Sequence, residues 1–125
     1  VIIAIGVDII ELERIRGVWK REGEKFLGRI FTPAERNYCL DKADPLPHLA
    51  ARFAAKEAFQ KCWFEPFSWQ DVWVEHAPEG WGRRPLLRLA PALQAVMLEH
   101  KWVAHLSLSH THTNAVATAI LESRG

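Results

Sequence analysis

A chain of 125 residues, 49% hydrophobic and 25% charged, has the composition of one globular domain, which excludes a disordered tail or a collagen-like fibre. Sixteen Lys and Arg against fifteen Asp and Glu leave a formal charge of +1, so the chain is no general binder of nucleic acid, and only a local basic patch could attract an acidic partner. Cys39 and Cys62 make no disulfide framework and fit reduced thiols in a cytoplasmic protein, and no uncharged run approaches the roughly eighteen residues of a membrane helix.

The first ten residues are β-rich and nearly all apolar, interrupted by Gly6 and Asp8, and predict a buried strand over residues 1–7. Residues 11–25 carry Leu12, Ile15 and Trp19 along one helical side. Gly17 and Gly23 each weaken that helix by about 1 kcal/mol against Ala, so a break is expected near Gly23. Thr32-Pro33-Ala34-Glu35 is a helix start, with Thr as N-cap, Pro in the first turn and Glu as the reciprocal member of a capping box. Asp44-Pro45-Leu46-Pro47 predicts the turn that ends this segment. Residues 48–63 form the strongest helix, whose five alanines let it lie close against a sheet. Residues 72–75 alternate like a strand. Residues 79–85 then predict a turn, residues 86–90 a second short strand, and Pro91 opens a helix to about His100. Residues 103–109 and 115–121 predict a closing antiparallel pair around residues 110–114. The order makes the chain α+β, a compact single domain over residues 1–125 with an antiparallel sheet and packed helices.

Three places in this pattern could carry chemistry. Asp8 closes a strand of Ile and Val, where a carboxylate is costly to bury unless it is paired or binds a cation. Capping the following helix is the plainer use for it. Glu57 shares one helical stripe with Phe53 and Lys61. An exposed Glu–Lys pair worth about 0.3–0.5 kcal/mol accounts for it. A phosphate-and-metal site accounts for it equally well, because Arg52 and Lys56 crowd the same turns. The third place is His105-Leu106-Ser107-Leu108-Ser109-His110-Thr111-His112. As a strand it sets His105, Ser107 and Ser109 on one face and the leucines on the other. His105, His110 and His112 match no usual zinc spacing, and no Gly-x-Ser-x-Gly elbow surrounds either serine. Walker and Gly-x-Gly-x-x-Gly loops are absent.

Read together, Ile5-Gly6-Val7-Asp8-Ile9, Arg52-Phe53-Ala54-Ala55-Lys56-Glu57-Ala58 with Lys61, and Leu106-Ser107-Leu108-Ser109-His110 resemble the three signatures of 4′-phosphopantetheinyl transferases of the short bacterial type. Arg29-Ile30-Phe31-Thr32-Pro33-Ala34-Glu35 and Gly82-Arg83-Arg84-Pro85 are similar to that family's connecting segments. The likeness runs from Val1 to about Leu121. Each motif is weak alone, and their order and spacing make the set specific.

The resemblance implies transfer of phosphopantetheine from coenzyme A to a serine of apo acyl carrier protein, with Mg²⁺, in support of fatty acid synthesis. It implies Asp8 and Glu57 as metal-binding carboxylates and Lys61 at the pyrophosphate, these three forming the catalytic set. Arg52, Ser109 and His110 fall at the coenzyme A site. A homotrimer with coenzyme A between two subunits is implied, with no nucleic acid and no membrane as partner. Thr111 stands where some members have an acidic residue. The family docks its acidic carrier on the helix after the first strand. Here Arg14, Val18, Arg21 and Lys25 fall on one stripe of that helix, with Phe26 and Arg29 close by if the helix bends at Gly23, and are the expected docking row. Two rival readings carry distinct expectations: a small nucleic-acid-binding module would bind RNA or DNA with salt sensitivity, and a Ser/His hydrolase would turn over esters without metal.

Overall fold

The structure is a computed structural model, and it describes residues 1–78 and 82–125. It runs β1 (Ile2–Glu11), α1 (Leu12–Glu22), α2 (Glu24–Ile30), α3 (Pro33–Leu40), α4 (Pro45–Gln60), β2 (Val72–His76), β3 (Pro85–Leu89), α5 (Pro91–His100), β4 (Trp102–His110) and β5 (Asn114–Ser123). One antiparallel sheet has the order β1-β5-β4, and β2 and β3 form a separate antiparallel pair. This is the expected α+β architecture.

Alternation along the central strand explains where the core sits. Ala115, Ala117, Ala119 and Leu121 of β5 are all buried on one face, and the alanines of α4 at 50, 51, 54, 55 and 58 are buried against it. Small side chains on both surfaces bring helix and sheet into close contact. The approach is tightest at Gly6, where a Cβ would stand 2.0 Å from the carbonyl oxygen of Ala58. Only glycine fits there. That contact sets β1 two residues before Asp8 directly under α4.

The first strand departs from the expectation in two ways. It continues to Glu11, and only one of its faces is covered. Gly6 and Ile10 are buried, whereas Ile3, Ile5, Val7 and Ile9 on the opposite face are exposed, Ile9 at 68%. A continuous apolar run usually marks a strand covered on both sides. Here the second cover does not come from the described residues of this chain.

The helical segment breaks at Gly23 as expected, while Gly17 stays inside α1. Gly23 has φ +57°, and its backbone N–H caps α1 while its carbonyl begins α2. The capping box of α3 forms as read, with Glu35 N–H donating to Thr32 Oγ1 at 3.3 Å and Thr32 N–H donating to Glu35 Oε1 at 3.0 Å. The expected turn at residues 44–47 is instead the first turn of α4. Asp44 is the N-cap, accepting from Leu46 N–H at 3.2 Å. Prolines 45 and 47 fit because N–H groups of a first turn have no helical partner to lose. Of the turn at residues 79–85, residues 79–81 lie outside the described residues, and Gly82 and Arg83 have φ +76° and +50°.

Candidate active site

Adjacent residues of α4 face different surroundings, and the site follows from that split. Lys56 points inward. Its Nζ lies 2.8 Å from Glu35 Oε1 and donates to the carbonyls of Trp69 at 2.8 Å and Val72 at 2.6 Å. Both side chains of this pair are fully buried. Burial lowers the Lys56 pKa and the Glu35 carboxylate opposes that fall. Glu35 Oε2 also accepts from Val74 N–H at 2.9 Å, so one carboxylate ties α3, α4 and β2 together. The sequence left Lys56 open between a phosphate site beside Glu57 and a solvated face. It is instead a closed structural contact.

Glu57 faces the β1 side. Burial first, and the Asp8 carboxylate second, raise its pKa, while Lys61 and Arg14 hold it down. Lys61 donates to the Val7 carbonyl at 2.7 Å and stands 3.6 Å from Asp8 Oδ1. Asp8 therefore does not cap α1, whose N-cap is Glu11. It turns toward α4 because alternation puts it on the same face as Gly6. Two carboxylates and an ammonium group thus gather at a partly open edge. Beside Glu57 a cleft of about 170 Å³ is lined by Lys56, Glu57, Gln60, Phe67 and Trp69, the Lys56 ammonium itself being turned away into its contact with Glu35.

Arg52 begins a second part of the site, one helical turn before Lys56. It is 3% exposed. Its Nη1 donates to the His48 carbonyl at 3.2 Å, its Nη2 is 2.7 Å from His76 Nε2, and its guanidinium carbon lies 4.5 Å from the centre of the Tyr38 ring. Among the described residues its buried Nε finds no acceptor. An unpaired buried donor costs about 1–3 kcal/mol, which an anion would recover. His110 reaches the same pocket, 5.9 Å between its ring centre and that of His48. The pocket has a volume of about 210 Å³ and is lined by Tyr38, His48, Arg52, His76 and His110, with Ser109 on its rim.

Not every expected residue joins these groups. Ser109 pairs with Val116 and His110 with Ala115, so neighbouring side chains point to opposite faces of the sheet. The Ser109 side chain therefore belongs to the uncovered face while the residue still lines the Arg52 pocket at the strand end, and Ser109 and His110 form no nucleophile–base pair. His105 shares that outer face and lies 2.9 Å from Glu122, away from His110. Among the described residues, no group of three or more His, Cys, Asp and Glu side chains converges as a metal cage would. Thr111 builds the β4–β5 turn, its Oγ1 accepting from Thr113 N–H at 3.2 Å and Asn114 N–H at 3.1 Å.

The docking row is altered at one end. Arg14, Arg21 and Lys25 are exposed. Phe26 is 2% exposed and packs edge-on against Phe31 at 5.7 Å, so it belongs to the core. The bend at Gly23 turns that position inward. Arg29 is exposed and paired with Glu22 at 3.0 Å, which offsets part of its charge.

Comparison with known proteins identifies the family. The family model for the 4′-phosphopantetheinyl transferase superfamily matches residues 4–120. The chain belongs to that superfamily. It is 48% identical over 98% of its length to a holo-[acyl-carrier-protein] synthase of Thermus thermophilus, covering 95% of that relative. It is 50% identical over 97% of its length to a holo-[acyl-carrier-protein] synthase of Deinococcus radiodurans, covering 93% of it. Among solved structures, the holo-[acyl-carrier-protein] synthase of Neisseria meningitidis superposes with a TM-score of 0.87 at 33% identity, over 98% of this chain and all of that one. The Bacillus anthracis enzyme in complex with CoA (3′,5′-ADP) superposes at 0.77 and 34% identity, over 98% and 97%.

Sequence reasoning missed Tyr38, His48 and His76 as pocket residues. The unusual count of six histidines was the available signal, but His48 and His76 lie in no recognisable motif and meet only through the packing of α3, α4 and β2.

Proposed function

We propose that this chain transfers the 4′-phosphopantetheine group of coenzyme A to a serine of apo acyl carrier protein, releasing adenosine 3′,5′-bisphosphate. The observation that carries the reading is the meeting of Asp8, Glu57 and Lys61 at the edge where Gly6 lets α4 touch β1. The reaction needs two reactants aligned and charge on the leaving group neutralised. Lys61 supplies a cation at the edge where the pyrophosphate would lie. Arg52 and His110 supply donors for the 3′-phosphate, a neighbouring anion that would engage the unpaired Nε–H of Arg52.

Asp8 and Glu57 are the residues that would hold Mg²⁺. Their hard oxygens fit it, since this ion takes one or two carboxylates and completes its shell with substrate phosphate and water. Bound there, it supplies charge neutralisation at the pyrophosphate.

The homotrimer has support from the bare face of β1, where Ile5, Val7 and Ile9 are 63%, 54% and 68% exposed. A neighbouring copy would cover this apolar strip, and light scattering at assay concentration should read a trimer's mass. Two free buried cysteines suit a cytoplasmic enzyme serving fatty acid synthesis, and no helix among the described residues is long and apolar enough to cross a membrane. Arg14, Arg21 and Lys25 form the docking row for the acidic carrier. The test of the whole reading is mass spectrometry of an apo carrier protein incubated with this protein, coenzyme A and Mg²⁺. A gain of one phosphopantetheine is expected, and an unchanged mass would refute it.

A further inference from the structure

His76 ends β2 on the rim of the Arg52 pocket and has no part in the transfer as derived above. Both of its ring nitrogens are engaged. Nδ1 lies 2.9 Å from the Arg83 carbonyl oxygen, which only accepts, so Nδ1 carries the hydrogen and donates it. Nε2 lies 2.7 Å from Arg52 Nη2, which only donates, so Nε2 is bare and accepts. The partners on either side therefore select a neutral imidazole in one tautomer. Burial opposes a second proton, as do the charges of Arg52, Arg83 and Lys42, and only the bond to the Arg83 carbonyl favours it.

Tyr38 completes the frame. The His76 ring lies over it at 4.7 Å between centres, and the Arg52 guanidinium packs on it as well. With the His48 carbonyl on Nη1, the guanidinium is held from three directions while its Nε–H stays unpaired among the described residues. The chemistry of the acceptor matters. A carboxylate at this position would hold Arg52 more strongly but would cancel the charge that an incoming phosphate needs. A neutral imidazole orients the guanidinium and leaves its charge in place.

We infer that His76 is a positioning residue: as the neutral Nδ1–H imidazole it fixes the Arg52 guanidinium to receive a phosphate monoester, the 3′-phosphate of coenzyme A. This rests on the reading of Arg52 given above. The test compares His76→Phe, which keeps an aromatic ring against Tyr38 without the acceptor, and His76→Gln, whose amide can accept from Arg52 and donate to Arg83. His76→Phe should raise KM for coenzyme A by about tenfold, the scale of one hydrogen bond to a charged group, with kcat and KM for the carrier protein unchanged. The defect should vanish with 3′-dephospho-coenzyme A as donor, and His76→Gln should restore wild-type KM. ¹⁵N NMR of the histidine-labelled wild type at neutral pH should show His76 protonated at Nδ1 alone. An Nε2–H or doubly protonated ring would overturn the proposal. So would an unchanged KM in His76→Phe when Arg52→Ala raises it. If Arg52→Ala leaves KM for coenzyme A unchanged, the coenzyme reading of Arg52 fails first and the positioning role falls with it.

Discussion

Lys56 and Glu57 are neighbours in the chain, yet each belongs to a different carboxylate–lysine contact. Lys56 meets Glu35 with both side chains sealed from water and every donor directed at a carboxylate or carbonyl. Glu57 sits with Asp8 and Lys61 where the Lys61 side chain is 54% exposed and Asp8 19%. The closed contact has its geometry used up by three elements of the fold. The open one has unspent charge: two carboxylates crowd each other, and a single flexible ammonium lies near one of them at 3.6 Å. Like charges held together at an accessible edge favour a cation or a substrate there. The difference is one of access, because the residue types are the same.

If this contrast is right, changing the open cluster should destroy activity and spare the fold. Asp8→Ala and Glu57→Ala should each lower phosphopantetheine transfer by about a thousandfold, the rate equivalent of several kcal/mol of lost charge stabilisation. Their thermal melts should stay near wild type. Near-normal turnover of either variant at limiting Mg²⁺ would remove that residue from the site. The closed contact should behave in the opposite way. Lys56→Met leaves the Glu35 charge buried and alone, and should cost about 3–5 kcal/mol in denaturant unfolding. The double variant Glu35→Leu with Lys56→Met should recover part of that loss, because neither charge is then stranded. A double variant no better than the single one would mean the backbone bonds, more than the ion pair, carry the contact.

This contrast was only half legible from the residues. The capping box at Thr32 and Glu35, the break near Gly23 and the alanine-lined helix follow from local rules, and each forms as read. Asp8, Glu57 and Lys61 were identified by their motifs, and the fold brings them together. The second role of Glu35 was hidden, since a capping glutamate shows nothing of the lysine that reaches it from another helix. Phe26 was misplaced for a related reason: a bend at Gly23 was expected to bring it beside the basic stripe, and the bend that forms turns its side chain into the core instead. The strand from Ile2 to Glu11 was read as buried because composition records which residues are apolar, and a single chain need not cover them all. His48 stands one turn before Arg52 on α4, a spacing the sequence shows, whereas His76 reaches Arg52 from β2, which no local pattern reports.

A weaker test lies at the solvent end of the open cluster. Arg14 acts on Glu57 electrostatically, so the basic row begins at the site and runs outward through Arg21 and Lys25. Reversing Arg21 to Glu should raise KM for the carrier protein severalfold while KM for coenzyme A barely moves, and raising salt should weaken carrier binding by the wild type as screening sets in. Arg14→Glu, closer to the carboxylates, should in addition lower kcat. Equal losses for both substrates in Arg21→Glu would show that the row supports the fold or the assembly.

The smallest expected effect comes from acid on the Arg52 pocket, the other partly open surface of α4. His48 and His76 both titrate below the ordinary 6.5, in each case through burial first. The Arg52 and Lys42 charges add to this at both rings, while Asp44 opposes it at His48 and the bond to Arg83 at His76. The sign follows from which state takes the proton. As pH falls through 6.5 the unfolded imidazoles charge before the folded ones, so the unfolded chain binds more protons and stability declines. The loss begins just above that pH and ends once the folded rings have charged as well. Each ring is partly solvated, which limits the contribution to a few tenths of a kcal/mol, about the worth of an exposed charge contact. Melts of the wild type from pH 7.5 to 5 should therefore show a slightly steeper decline than those of the His48→Gln, His76→Gln double variant. Parallel curves would mean that both rings charge in the folded protein as readily as in the unfolded chain, and that the pocket around Arg52 is wetter and less confining than its packing against Tyr38 implies.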